Sequence, residues 1–264
     1  MTKNQLIIPK LKNNFNDKLI KEFNIELNRK FLIHKVSKKL YFKNKPYDPS
    51  YDELFFLHNL VTLNKRLTIL EIGSGWSTLF FSHALNQNKM KYQSQSEPLR
   101  GKNKFELFVL ENEKKYLEIS KRRIEKNFKK NKTKIHWSLS EVKMSELEGR
   151  YCTIYSKFPK VSPDFIYLDG PDQFKVKGNV NKFNSNHEDL MPMVSDLIKI
   201  EFYLKPGTIL VVDGRAANVQ FLRSFFKRKW EYYYVKRVDK HILFLNAESL
   251  GEANNLLIKF YKKK

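Results

Sequence analysis

The chain has 264 residues, 41% of them hydrophobic and 14% aromatic, enough for one substantial core, so one α/β domain with an N-terminal extension is expected rather than two domains. Fifty Lys and Arg against 28 Asp and Glu leave a net charge of +22, which attracts polyanions such as RNA, sugar nucleotides or anionic membrane surfaces without naming one, and which a compositionally biased genome would also produce. A lone cysteine, Cys152, excludes an intramolecular disulfide and fits a reducing compartment, while no apolar run approaches a membrane span, so a cytoplasmic protein is expected.

Met1 to Asn14 alternates Lys with short apolar pairs and has neither an h-region nor a small-residue cleavage site. Residues 1–47 read as an N-terminal extension or cap, and 48–264 as the main domain. A helix is predicted from Asp48-Pro49-Ser50, with Leu54, Phe55, Leu57, Leu60 and Val61 on a broad apolar face. Strands follow at 68–73, 105–111, 134–139, 164–169, 208–213, 231–238 and 241–246. Amphipathic helices are predicted at 113–128 and 189–203, and the polar stretch 87–104 as a surface insertion. Only Val238-Asp239-Lys240 separates the last two strands, so they should pair antiparallel. The basic end, Lys262 to Lys264, reads as a solvated tail. The alternation specifies a Rossmann-like doubly wound, mostly parallel sheet of about seven strands, the last antiparallel, with helices on both faces.

The densest chemical signal is Thr68-Ile69-Leu70-Glu71-Ile72-Gly73-Ser74-Gly75-Trp76-Ser77-Thr78, a buried strand running into a Gly-x-Gly turn and a helix. Glycines let a ligand approach the backbone, and the helix start offers free N–H donors. A dinucleotide fingerprint would need a third glycine where Thr78 stands, which weakens an NAD-dependent oxidoreductase. The second strand ends in Glu111-Asn112; a carboxylate there can accept both hydrogen bonds of a ribose diol, although its distance from Gly75 is longer than usual. The third strand leads into Ser140-Glu141.

Two later strands also end in carboxylates, in Asp169-Gly170-Pro171-Asp172 and in Asp213-Gly214-Arg215, at the edge where open α/β sheets bind ligands. With the acidic-x-Gly-x-Gly match of Glu71, Gly73 and Gly75, the chain resembles the class I S-adenosylmethionine-dependent methyltransferases over roughly residues 50–246. It is similar to methyltransferases of polysaccharide-type pathways. The resemblance implies S-adenosyl-L-methionine as cofactor, held by Glu71, Gly73, Ser74, Gly75, Trp76, Ser77, Thr78, Glu111, Asn112, Ser140, Glu141 and Asp169. Ser77 and Thr78 would lie near its methionine carboxylate, and Ser140-Glu141 beside the adenine.

Candidate bases for a hydroxyl acceptor are His187, Asp172 and Asp169. Gly170, Pro171, Asp172, Asp213 and Arg215 are expected to face the substrate, Arg215 as a clamp for an anionic group. Asp169 and Asp213 also resemble the divalent-metal carboxylates of catechol and caffeoyl-CoA O-methyltransferases. Those enzymes carry Asn beside the second Asp, whereas Gly214 stands here, so a metal is not favoured. The expected reaction is methyl transfer to a hydroxyl or amine of a small-molecule or glycan-type acceptor, anionic if Arg215 clamps it. The alternatives are an RNA methyltransferase, motivated by the charge and by Phe225-Phe226-Lys227-Arg228-Lys229-Trp230, and a non-catalytic protein that keeps the fold. Acceptor identity and oligomeric state are not legible in the sequence.

Overall fold

The computed structural model describes residues 6–10, 49–127 and 133–262. Most of the extension expected at 1–47, the end of the helix expected at 113–128, and the last two lysines lie outside the described residues. The elements run α1 (Tyr51–Leu63), β1 (Thr68–Ile72), α2 (Trp76–Ser96), β2 (Glu106–Glu111), α3 (Lys114–Asn127) and β3 (Lys134–Leu139). Then come β4 (Val142–Leu147), β5 (Arg150–Tyr155), β6 (Phe165–Leu168), β7 (Val176–Lys177), α4 (Asp196–Ile200) and β8 (Ile209–Asp213). The chain closes with α5 (Ala216–Phe225), β9 (Trp230–Val235), β10 (Lys240–Leu245) and α6 (Glu252–Lys262).

Seven strands form one sheet in the order β3-β2-β1-β6-β8-β10-β9. Neighbours from β3 to β8 are parallel, and β10 runs antiparallel to both β8 and β9. This is the Rossmann-like sheet that the alternation of strands and helices predicts. The chain starts at β1, builds outward through β2 and β3, then returns to β6 on the other side, so the order reverses between β1 and β6. Ligands of open α/β sheets bind at that switch point.

Two cores flank the sheet. Phe56, Leu57, Leu60 and Val61 of α1 and Phe81, Ala84 and Leu85 of α2 pack on Ile69, Leu107, Phe165 and Val211. On the opposite face Leu70, Ile72, Ile166, Leu168 and Leu210 meet Leu197 of α4 and Val219 and Leu222 of α5. The alternation of Ile69 and Leu70 onto opposite faces is the period of two of a strand buried on both sides.

Three elements differ from the sequence reading. Helix α2 runs to Ser96, through most of the expected insertion, because Asn88, Tyr92 and Ser96 recur every four residues and turn inward. Asn88 Nδ2 donates to the carbonyls of Val61 and Arg66, which fixes that polar stripe against the core. The helix expected at 189–203 shrinks to Asp196–Ile200 with a 3₁₀ turn at Glu201–Tyr203. Pro192 has no N–H for a helix, and the chain before α4 instead lies along β5, with Thr153 N donating to Met193 O at 2.8 Å and Val194 bridged to Thr153. Finally, β4 and β5 form a hairpin that β7 extends into a second sheet. Its Val142, Tyr155 and Val176 join the second core, so a small sheet shares that face with the helices.

At the N-terminal edge of the main sheet, α6 covers the strand starts. Its Tyr261 hydroxyl donates to Asp164 at 2.7 Å, and the Arg66 guanidinium lies 3.8 Å from the Tyr261 ring centre. The segment ahead of the basic tail is a packed helix with Leu257 and Phe260 buried; of the tail expected to be solvated, only Lys262 is among the described residues, at the end of α6. No helix among the described residues is long and apolar enough to cross a membrane.

Candidate functional site

The switch point is built around Gly73. Its φ is +93°, and a side chain there would come within 2.7 Å of the Gly170 backbone nitrogen, so only glycine lets the β1 and β6 loops touch. The ladder carries on past the strand ends: Gly73 N donates to Leu110 O and Asp169 N to Ile72 O, each at 2.8 Å. Gly75 differs, because a side chain there would meet nothing nearer than the Ser77 hydroxyl at 3.6 Å. It borders open space at the start of α2, whose first-turn amides have no acceptor within the helix.

Glu111, at the end of β2, faces this turn. One oxygen accepts from Ser74 N (2.7 Å) and Ser74 Oγ (2.8 Å), the other from Asn112 N (2.8 Å) and Glu113 N (2.9 Å). Burial raises its pKa, while these donors pull it down. A carboxylate has about four acceptor sites, so to bind a diol Glu111 must exchange the two bonds from Ser74. Ser140 sits beside it, its N donating to Glu111 O at 2.9 Å. Glu141 is exposed and ion-paired with Lys177 of β7, which lowers its pKa.

Ser77 and Thr78, expected beside a cofactor carboxylate, hold the turn itself. Ser77 Oγ donates to Glu71 at 2.6 Å, and Thr78 Oγ1 accepts from Gly75 N at 3.2 Å. Glu71 is fully buried, and burial lifts its pKa to about 8 against the pull of Ser77 and Thr78. Trp76 carries the Arg123 guanidinium 3.9 Å from its ring centre. Three buried polar atoms at this edge, Glu71 Oε2, Asn112 Nδ2 and the Tyr155 hydroxyl, have no hydrogen-bond partner. Asn112 Oδ1 accepts from Asp172 N at 3.2 Å, and a side chain on Gly170 would meet the Tyr155 hydroxyl at 3.1 Å, so both border the reversal point. Unsatisfied buried donors beside an open glycine cradle are what a polar ligand would complete. The residues therefore fit a cofactor carrying a carboxylate and a diol.

On the other side of the switch point the structure joins Asp169 and Asp213 to partners that the sequence reading missed. Lys240 of β10 is buried, forms a short ion pair with Asp213 Oδ1, and lies 3.3 Å from Glu53 Oε2 of α1. The Tyr167 hydroxyl donates to the other Glu53 oxygen at 3.2 Å. Burial alone would lower Lys240, but Asp213 and Glu53 outweigh it and hold the ammonium above its ordinary pKa. Burial likewise pushes Asp213 up, and Lys240 more than offsets that, leaving it low. Burial first, and then Asp213 beside it, push the Asp169 carboxyl well above its ordinary pKa. The sequence does not single out Glu53, and Lys240 enters there only as the end of the short link before the last strand; nothing local signals that they meet.

The donor set does not fit a divalent ion. Lys240 engages Asp213, Gly214 offers no side-chain donor, and no group of three His, Cys, Asp or Glu among the described residues could hold a metal. Arg215, expected as an anion clamp, donates to the carbonyls of Asp169 (2.7 Å) and Pro171 (3.1 Å) and so ties the β8 loop to the β6 loop. Asp172 caps a 3₁₀ turn by accepting from Phe174 N at 2.8 Å. The His187 side chain is 62% exposed and its ring accepts from Asp189 N at 3.1 Å, while its carbonyl accepts from Gln173 Nε2 at 3.1 Å, next to Asp172. Of the basic aromatic stretch, Trp230 Nε1 donates to Glu201 at 2.9 Å and Arg228 to the carbonyls of Glu201 and Leu204, which are structural contacts.

No protein-family model matches the chain, and no curated protein matches it significantly. Among solved structures, an O-methyltransferase from Bacillus cereus in complex with SAH is similar at 17% identity and a TM-score of 0.39, over 75% of this chain and 82% of that one. The O-methyltransferase TomG from Streptomyces achromogenes, in complex with SAM, is 16% identical with a TM-score of 0.41, over 78% and 83%. A methyltransferase from Geobacter sulfurreducens is 12% identical with a TM-score of 0.44, over 77% and 81%. Likeness at this level carries no assignment of chemistry, which has to come from the residues at the switch point.

Proposed function

We propose that the chain is an S-adenosylmethionine-dependent methyltransferase acting on a hydroxyl or amine of a small-molecule acceptor. The observation that carries this reading is the pairing of Glu111 with the glycine turn: a carboxylate at the end of β2 hydrogen-bonded to Ser74, between Gly73 and Gly75, beside the unpartnered Asn112 Nδ2. When bound, the cofactor supplies a sulfonium methyl that leaves by in-line displacement. Gly75 and the first turn of α2 would admit its carboxylate, Glu111 and Asn112 its ribose, and Ser140 with Glu141 the rim of its adenine.

The chain's own task is then alignment and proton acceptance. Asp169 and Asp213 lie side by side at the ends of β6 and β8, with Lys240 on Asp213, and form a polar wall there. A carboxylate oxygen of this pair would take the acceptor's proton as the new bond forms, a contribution of ~10² to 10⁴ in rate for a well-placed group. Arg215 fixes the two loops so that the wall keeps its position relative to the glycine turn.

The test is calorimetric and thermal-shift binding of S-adenosylhomocysteine to the native chain and to Glu111→Ala. At 100 times its dissociation constant a specific ligand raises stability by about 2.7 kcal/mol. The native chain should show that shift, and the variant should lose at least tenfold in affinity. A well-folded native chain without a shift would sink the assignment.

A further inference from the structure

Flanking the reaction end is a cavity of about 250 Å³ that no part of the proposed cofactor site uses. The second sheet forms one wall with Met144, Tyr151 and Thr153, and the connection from β7 to α4 forms the other with Phe183, Met191 and Met193. The rings of Tyr151 and Phe183 are stacked, 4.9 Å between centres at 20°. Three thioethers and a stacked ring pair make a flat, polarisable surface, which suits an aromatic ring better than a sugar.

The lining also contains one unmet polar demand. Thr153 is 1% exposed, and its Oγ1 has no hydrogen-bond partner, although its backbone N–H and carbonyl are both engaged by neighbours. A buried hydroxyl left without a partner is destabilising, and a ligand bearing a hydroxyl or carbonyl would satisfy it.

The place of the cavity matters as much as its lining. Thr153 lies two residues before Tyr155, whose hydroxyl borders Gly170, a separation of roughly 7 Å along a strand. Ala217, also in the lining, follows Arg215 by two residues. The cavity lining is thus continuous in sequence with Tyr155, which borders the β6 loop, and with Arg215, which ties the β6 and β8 loops together.

We propose that this cavity binds an aromatic ring carrying one hydrogen-bonding group, which Thr153 Oγ1 engages, and that it is the anchoring subsite for the methyl acceptor. The second half of the proposal rests on the methyltransferase reading; the first half does not. Three of the chain's five methionines line the cavity, whereas Met90 is 73% exposed on α2, so methyl-labelled methionine reports binding directly.

The experiment titrates the full chain, labelled with ¹³C-methyl methionine, with p-cresol and separately with methyl α-glucopyranoside, with S-adenosylhomocysteine affinity measured on the same samples. The expected result is that p-cresol shifts the Met144, Met191 and Met193 signals at millimolar concentration, that Met90 stays in place, and that the glucoside does nothing. Thr153→Val, which keeps the shape and removes the hydroxyl, should weaken p-cresol about fivefold. Ala217→Trp, at an exposed rim position, should abolish the shifts without changing S-adenosylhomocysteine affinity. The proposal is overturned if p-cresol leaves the three signals unmoved, if Met90 moves as much as they do, or if the glucoside shifts them equally. Shifts with p-cresol in a chain that does not bind S-adenosylhomocysteine would keep the aromatic site and remove its role as an acceptor subsite.

Discussion

The two edges of the main sheet both bury charge, and they use it in opposite ways. At the N-terminal edge Asp164 accepts from Leu67 N, Thr68 N and the Tyr261 hydroxyl, Arg66 donates to Gly207 O at 2.6 Å, and α6 closes over both. At the C-terminal edge Glu111, Asp169, Asp213 and Lys240 are also paired, but Asn112 and Tyr155 keep unpartnered atoms and Gly75 borders open space. Charge covered by a helix serves the fold, even where Arg66 Nε at the closed edge lacks a partner; charge arranged around a gap is placed for something that arrives. Substitutions at the two edges should therefore separate stability from binding.

The largest effect belongs to the closed edge. Asp164→Ala removes the acceptor of two buried amides and a buried hydroxyl, which should cost roughly 3–5 kcal/mol of stability. Chemical denaturation measures the loss. The folded fraction should bind S-adenosylhomocysteine within twofold of the native chain, and a matching loss of affinity would erase the distinction between the edges.

Gly73→Ala lies where the β1 and β6 loops meet and should affect both quantities. The φ of +93° strains any other residue, and the added carbon would lie 2.7 Å from Gly170 N and 2.9 Å from the Asp169 carbonyl carbon. Strain and overpacking together should cost about 3 kcal/mol, with more than tenfold weaker S-adenosylhomocysteine binding. Retention of native stability would show that the two loops can separate without penalty.

How much of this was legible follows from where each signal is written. Gly73, Gly75 and Glu71 are contiguous, so a local pattern finds them, and the strand-ending carboxylates Glu111, Asp169 and Asp213 stand out because each follows a buried apolar run. Lys240 and Glu53, one in β10 and the other in α1, meet across a sequence separation of 240 − 53 = 187, and each alone looks like a solvated charge. The helix expected at 189–203 failed for the opposite reason: its apolar spacing was real, but Pro192 and the exposed edge of β5 drew the chain into an extended path. His187 lies on the loop ahead of that path, its carbonyl held by Gln173. Thr78 and Ser77 show a subtler limit, since the sequence places them at the turn but cannot say that their hydroxyls face inward to Glu71 and Gly75.

Glu71 offers a sharper reading of the open edge through pH. Its pKa is about 8 in the folded chain against an ordinary 4.5, so between those values the native state holds a proton that the unfolded chain releases. Stability from this group is present below pH 4.5 and is lost as the pH rises toward 8. Glu71→Gln removes the titration, and its stability relative to the native chain should improve by roughly 3.5 kcal/mol from pH 5 to pH 8. Parallel stability curves across that window would mean that the carboxyl is ionised in the fold.

The smallest effect on stability carries the most weight for function. Gly75→Ala adds one carbon whose nearest neighbour is the Ser77 hydroxyl at 3.6 Å, ordinary contact distance, and the backbone φ of −160° suits any residue. Stability should change by less than about 0.5 kcal/mol, since nothing in the fold is crowded. If the space beside Gly75 is the cradle for a cofactor carboxylate, the same methyl group intrudes on the ligand, and S-adenosylhomocysteine affinity should fall about tenfold. Asp164→Ala and Gly75→Ala then form opposite corners of one comparison, the first losing stability with binding intact and the second losing binding with stability intact. An unchanged affinity in Gly75→Ala would place the ligand elsewhere on the edge and leave the glycine as a feature of the turn alone.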